Sequence, residues 1–277
     1  MSGRQYGFST CLFATALWAG APLPLAAQED FRNTDRGRPL LVEDAYPIEL
    51  REWEFELGGR GRLVEGGGRS AAGVQAGLKT GLLPNTQVGL EFETTLEPTG
   101  RGTELGFGGV GAHVLHNLNR ETWSWPAFAL RAEVHGPGSA NIGRDDWSLE
   151  LTGLATRSIG RLRLHANGGR RFGTEGTGRD AWRAGLAADY PIGLFSRLVM
   201  ADVFVEVPEE AGRTRMWLEL GSRWQLTNSS VLDLGLATRL DEWEAGRANA
   251  ELTLGVSLAF GIPGLTPVPP YPDPALD

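Results

Sequence analysis

Apolar and polar residues alternate one for one along much of this chain. From Val74 to Leu82, one parity carries Val74, Ala76, Leu78, Thr80 and Leu82 while the other carries Gln75, Gly77, Lys79 and Gly81. After Leu83-Pro84-Asn85 the pattern resumes, with Val88, Leu90, Phe92, Thr94 and Leu96 set against Gln87, Gly89, Glu91 and Glu93. Successive side chains of a strand point to opposite faces, so period two reads as strand, and two such runs across a Pro-Asn turn read as a hairpin with one apolar face. Carried along the chain, the pattern predicts twelve strands at about 52–63, 72–82, 86–96, 104–115, 125–135, 147–156, 160–171, 181–190, 197–207, 213–226, 231–240 and 249–260.

The links between these segments alternate as well. Links 2 to 3, 6 to 7, 8 to 9 and 10 to 11 are short, with Ser158-Ile159 and Thr227 to Ser230 as the clearest turns. The others are longer and rich in Gly, Arg and acid, as in Gly136 to Asp146 and Phe172 to Asp180; link 4 to 5, Asn117 to Ser124, is long for its side. Each segment is close to the roughly 9–11 residues that a tilted transmembrane strand needs, and the strand number is even. The predicted fold is therefore all-β, an antiparallel up-and-down transmembrane barrel of about twelve strands. Short turns and both termini lie on the periplasmic side and longer links outside.

Charge placement supports this choice, because Arg or Lys facing lipid at mid-membrane costs about 2–4 kcal/mol. The ionisable residues keep to one parity, among them Glu52, Glu54, Glu56, Lys79, Glu91, Arg161, Asp189, Glu206, Glu219 and Asp233, while the other parity carries Leu, Val, Ala, Phe and Trp. Arg170, at the outer end of its strand, is the one charge assigned to the lipid side. Segment 104–115 needs a bulge near Gly108-Gly109 to keep Leu105, Phe107, Val110, Ala112 and Val114 on one face. Aromatics gather at strand ends, with Trp53, Trp125, Tyr190, Trp224 and Phe260 at one rim and Trp147 and Trp182 at the other, as two girdles would require.

Composition narrows the setting. Residues 1–27 have an Arg4 n-region, an apolar stretch from Phe8 to Ala21 and a small-residue ending at Ala27, which reads as a cleaved export signal. That stretch is broken by Gly20, Pro22 and Pro24 and falls short of the about 20 residues of a spanning helix. The only cysteine, Cys11, lies inside it, so the remainder has neither disulfides nor a thiol nucleophile. The expected organisation is a signal peptide at 1–27, a periplasmic N-terminal segment at 28–51, the barrel at 52–260 and a Pro-rich periplasmic tail at 261–277. Whether 28–47 or the tail folds into the lumen stays open at the level of sequence, as does the oligomeric state. A formal net charge of −8 argues against nucleic-acid partners.

Several stretches resemble a family of outer-membrane transporters associated with the meta-cleavage pathway of phenol degradation. Asn33-Thr34-Asp35-Arg36-Gly37-Arg38-Pro39 is similar to that family's Thr-Asp-Arg-Pro entry, and Tyr46 to Leu50 before Trp53-Glu54-Phe55-Glu56 to its first strand. Pro126 to Val134 and Leu254 to Phe260 are similar to its central and terminal strands. The Pro-rich tail departs from the family's usual ending. The resemblance implies a cell outer-membrane channel or transporter for small solutes, with aromatic or hydrophobic compounds as the class.

Rings of inward charge decide what permeates a pore. The lumen and constriction candidates are Arg131, Glu133, Glu150, Arg163, Arg183, Asp202 and Arg223. A mixed-sign lumen in which opposite charges neutralise one another is equally what any such barrel presents. His135 and His165 share the inward parity, whereas His113 and His116 fall on opposite faces. No His-x-x-x-His or Cys pattern supports a metal, and no cofactor is expected. Gly106 to Gly111 lacks the strand-to-helix context of a dinucleotide loop. No Gly-x-Ser-x-Gly motif is present, and His165-Ala166-Asn167 has no following Ser. The chain is therefore read as a non-enzyme whose partners are outer-membrane lipid and a small solute. An outer-membrane enzyme acting on lipid or ester, a structural or adhesive barrel, and a soluble β-sandwich are the alternatives.

Overall fold

Each of the twelve alternating segments forms a strand. The computed structural model describes residues 31–64, 71–99, 102–139, 146–174, 180–193, 196–209, 213–241 and 248–262. The expected signal peptide at 1–27 and nearly all of the expected tail at 261–277 lie outside the described residues. The strands are β1 (Trp53–Val64), β2 (Ala71–Leu83), β3 (Thr86–Thr99), β4 (Gly102–Asn119), β5 (Ala127–His135) and β6 (Ser148–Ile159). They continue as β7 (Leu162–Gly173), β8 (Ala181–Ile192), β9 (Arg197–Pro208), β10 (Arg215–Thr227), β11 (Ser230–Arg239) and β12 (Ala248–Phe260). Every strand pairs antiparallel with its sequence neighbours, and β1 closes on β12 with Trp53 opposite Phe260 and Leu57 opposite Val256. Closure leaves no strand edge unpaired.

Three details depart from expectation. The β6–β7 turn is Gly160-Arg161, not Ser158-Ile159; Gly160 has φ +62°, a left-handed turn position that glycine adopts without strain. Arg161 is therefore a rim residue and not part of the inward face, and its guanidinium binds the carbonyls of Pro191 and Gly193 at 2.9 and 3.1 Å. β3 and β4 pair as far as Thr99 and Gly102, so their link is shorter than expected, and β4 runs on to Asn119. The bulge in β4 lies where the parity required it: Glu93 faces Gly109, Thr94 faces Phe107, and Gly108 is left without a partner. Leu105, Phe107, Ala112 and Val114 consequently share the outward face.

The apolar parity faces out all round the barrel, with Leu90, Phe92, Leu130, Leu151, Leu186, Leu220, Leu236 and Leu254 among its exposed members. This disposes of the soluble sandwich, in which that parity would be a core. Monomeric soluble proteins rarely expose contiguous apolar patches beyond a few hundred Å². Arg170 lies on this face at the rim, stacked over Phe172 and Trp182 at 4.5 and 5.5 Å and paired with Glu209 at 2.7 Å. The buried interior is instead the lumen. Residues 31–50 enter at the rim of the short turns, turn back near Gly37 and leave toward β1. The Gly37 N–H donates to the Leu40 carbonyl at 2.6 Å, and the Asp44 N–H donates to that of Thr34 at 3.3 Å. The Arg38–Pro39 peptide in this loop is cis.

Candidate functional site: the occupied lumen

A segment without regular secondary structure can be buried only if its backbone donors and acceptors find partners. Inward side chains of the barrel supply them. The Leu41 N–H donates to Asp202 at 3.1 Å and to Glu219 at 2.6 Å, and the Val42 N–H donates to Asp202 at 3.0 Å. Asn167 accepts from the Glu43 N–H and donates to its carbonyl, both at 2.8 Å. Thr156 accepts the Ala45 N–H at 2.9 Å, Asn117 donates to the Ala45 carbonyl at 2.8 Å, and Gln87 accepts the Ile48 N–H at 3.0 Å.

Ion pairs add a second layer on β5 to β8. Arg36 reaches Glu133 at 3.0 Å and Glu150 at 2.7 Å, and Arg131 donates to both oxygens of Glu43 at 2.8 and 2.9 Å. Arg183 bridges Glu150 and Glu206 at 2.7 Å each. Arg163 joins Asp189 at 2.8 Å to Asp44 at 3.3 Å and donates to the Arg32 carbonyl. Across the lumen, Arg223 pairs with Asp233 at 2.6 Å and Asp35 at 3.4 Å. Arg38 pairs with Glu56 at 2.5 Å and approaches Ser257 at 3.4 Å.

The wall made by β8 to β11 takes the segment differently. Phe31, Leu40 and Val42 pack into one buried apolar cluster with Ala187, Leu198, Met200, Phe204 and Val231. Pro39 lies directly on two glycines: a Cβ at Gly221 would come within 2.6 Å of its Cγ, and one at Gly235 within 2.6 Å of its carbonyl. Val42 sits equally close over Gly185. With Lys79 held by Asp35, these contacts touch all twelve strands.

All seven sequence candidates face inward, but they do not form one ring. Arg131, Glu133, Glu150 and Arg183 are brought together by Arg36 and Glu43 of the segment. Arg163 sits apart with Asp189 and Asp44, Asp202 binds backbone, and Arg223 lies on another wall. Sequence reasoning missed the segment's own charges, Asp35, Arg36, Arg38, Glu43 and Asp44, because nothing in 28–51 repeats with a strand period. It also passed over the inward apolar residues of β9. There a signal existed: Leu198, Met200 and Phe204 share the parity of Asp202 and Glu206, so β9 is apolar on both faces, as a strand covered on both sides should be.

Three clusters invite a chemical reading. Thr156 Oγ1 lies 3.0 Å from His165 Nδ1, and His165 Nε2 lies 2.7 Å from Asp189. Thr156 is fully buried and already accepts the Ala45 N–H, so this relay anchors the segment and offers no exposed nucleophile. Asp35, Glu54 and Glu56 bring carboxylate oxygens within 4.8 Å of one another, a spacing that suits a metal ion, yet the Lys79 ammonium occupies the cation's place, 3.0 Å from Glu54 and 3.1 Å from Glu56. His113 is buried inward beside Gln87 and Glu91, while His116 is exposed, as their spacing required.

The segment divides the lumen. On the short-turn side a vestibule of 790 Å³ is bounded by Tyr46, Pro47, Ile48, Glu49 and Glu121. On the other side, a chamber of 470 Å³ opens above Leu41, with Arg60, Trp217 and Arg239 in its wall.

No protein-family model and no curated protein matches the chain. Solved structures share its fold. The COG4313 outer membrane channel from Pseudomonas putida F1 superposes with TM-score 0.64 at 12% identity, covering 82% of this chain and 100% of the channel. The NanC porin gives 0.54 at 10% identity over 76% and 100% of the two chains, and the KdgM porin 0.53 at 10% over 74% and 99%. At such identities the likeness is one of fold.

Proposed function

We propose that this chain is an outer-membrane channel for small solutes, aromatic or hydrophobic ones among them, exported by cleavage after Ala27 and set with both termini in the periplasm. The observation that carries the reading is a lumen with polar space on both sides of a separable segment, enclosed by a barrel whose outer surface is apolar on every strand. An apolar exterior supports a lipid setting, and the fold shared with outer-membrane channels agrees with it. Residues 31–50 then act as a plug, and Arg131, Glu133, Glu150, Arg163, Arg183, Asp202 and Arg223 are the lumen groups that hold it or line the path when it moves.

Single-channel recording of residues 28–277 in planar bilayers tests this. Discrete steps are expected, growing several-fold when 28–47 are removed, because the plug fills the narrowest part of a twelve-stranded lumen. Folded protein that conducts in neither form would overturn the reading.

A further inference from the structure

One link on the short-turn side is built differently from its neighbours. Pro84-Asn85, Gly160-Arg161 and Asn228-Ser229 suffice at three turns of that rim, whereas residues 120–126 join β4 to β5. Arg120 and Glu121 border the vestibule, and the following residues turn to the outside of the barrel. There Arg157, opposite Leu164 on the outward parity of β6, donates to the carbonyls of Thr122, Trp123 and Trp125, the last at 3.2 Å. The loop is also closed on itself. The Thr122 N–H donates to the Trp125 carbonyl at 2.9 Å, and Thr122 Oγ1 accepts the Trp125 N–H at 3.1 Å. At its ends Asn119 donates to the Pro126 carbonyl at 2.8 Å and accepts the Phe128 N–H at 3.0 Å, and Glu121 accepts the Ser158 N–H at 2.7 Å.

What this fixed loop presents is aromatic. Trp123 is 95% exposed and Trp125 65%, and exposed Leu118, Phe128 and Ile159 continue from them into the apolar outer wall. A segment that enters the margin of a bilayer needs its backbone groups satisfied by the protein. Here one guanidinium takes up carbonyls that water would otherwise hydrate. The carbonyls in turn give a cation on the lipid-facing parity its partners, with Glu121 beyond them at 3.6 Å. Indoles suit the same margin, with the ring against acyl chains and the N–H toward ester and phosphate oxygens. We infer that residues 120–126 are a membrane foot, which binds the phospholipid surface of the leaflet on the short-turn side through Trp123 and Trp125 and fixes the height of the barrel within it. The inference rests on the membrane setting of the proposed channel, and not on conduction.

The only cysteine, Cys11, lies in the expected signal peptide, so Ser124→Cys places a single nitroxide between the two indoles of the full mature chain. The protein is folded into phosphatidylethanolamine and phosphatidylglycerol vesicles. Power-saturation EPR then compares collisions of the label with oxygen, which dissolves in lipid, and with a water-soluble nickel chelate. Leu151→Cys, on the exposed outward face of β6, gives the lipid reference, and Asn228→Cys, in the exposed β10–β11 turn, the aqueous one. The oxygen-to-nickel ratio at Ser124→Cys should exceed that at Asn228→Cys several-fold and fall below that at Leu151→Cys. Adding Trp123→Ser/Trp125→Ser should bring it down to the value of the turn while the line shape stays that of an ordered loop, because Arg157 holds the loop by its carbonyls. Adding Arg157→Gln should instead narrow the line. All variants must retain the β circular-dichroism spectrum of the parent. A ratio at Ser124→Cys equal to that of the turn, or a lipid-like ratio that survives the loss of both indoles, would overturn the inference, and dipolar broadening between labels would assign the loop to a second copy of the chain. Nickel access at Leu151→Cys as well would overturn the membrane setting and the foot together; access at Ser124→Cys alone sinks only the foot.

Discussion

The plug meets two walls of the same lumen in two different ways. Against β5 to β8 it is held by charge: Arg36 between Glu133 and Glu150, Glu43 on Arg131, Asp44 on Arg163. Against β8 to β11, beside Arg223 on Asp35 and the N–H groups taken by Asp202 and Glu219, shape is added, with Leu40 and Val42 in an apolar cluster and Pro39 seated on Gly221 and Gly235. The difference is one of division of labour. Ion pairs decide which residue of an irregular segment meets which strand, because a mismatched register would bury a charge without a partner. Apolar contact is indifferent to register, but it excludes water from the pairs and so strengthens them. Loss of a partner should therefore be costly on the first wall, and a change of volume should be the sensitive perturbation on the second.

The largest effect in the folded barrel is expected at Arg131. Replacing it with Met takes the guanidinium from buried Glu43, while Glu133 keeps Arg36, and breaking a buried pair from one side costs about 3–5 kcal/mol. Urea unfolding of the refolded protein should show the loss as a lower midpoint, and the plug should be released more often, seen as larger and noisier conductance. A variant as stable as the parent would mean that water already reaches these groups and that the two walls do not differ in kind.

On the second wall, Gly221→Ala adds one methyl group where Pro39 leaves no room. Overpacking of this sort costs about 1–3 kcal/mol. Because the methyl group would also lie 3.0 Å from Met200 Cγ, the informative comparison is with the protein lacking 28–47, in which the greater part of the penalty should disappear. If the penalty is the same with and without the plug, the strain lies between β9 and β10 and the apolar seat of Pro39 is not what holds the loop.

Most of the barrel was legible in the sequence because a strand exposes its period directly. Parity alone placed Glu133 and Glu150 inward and Leu130 and Leu151 outward, and even the break at Gly108 followed from the need to keep Phe107 and Val110 on one side. Turn positions were less legible, since Ser158-Ile159 and Gly160-Arg161 both satisfy the pattern and only the left-handed position at Gly160 decides between them. The plug was not legible at all as structure. Its residues follow no period, and their order is imposed from outside by twelve strands. What sequence did hold was indirect: Gly185, Gly221 and Gly235 on the inward parity, and a β9 apolar on both faces, mark a wall that something must cover.

Arg170 sets the lower end of the scale. It lies on the outward face, where away from the rim such a group would be expensive in lipid. At the rim its guanidinium lies over Phe172 and Trp182 and is paired with Glu209 and, more loosely at 3.5 Å, with Asp180. Its side chain is about a third exposed, so solvent screens these pairs, and exposed pairs contribute only about 0–1 kcal/mol. Arg170→Gln should therefore leave the urea midpoint nearly unchanged and conductance untouched, in contrast to Arg131→Met, which also removes a single guanidinium. Loss of one guanidinium would then be costly inside the barrel and nearly neutral outside it. A loss at Arg170 as large as that at Arg131 would show that burial by the plug is not what makes the lumen charges critical.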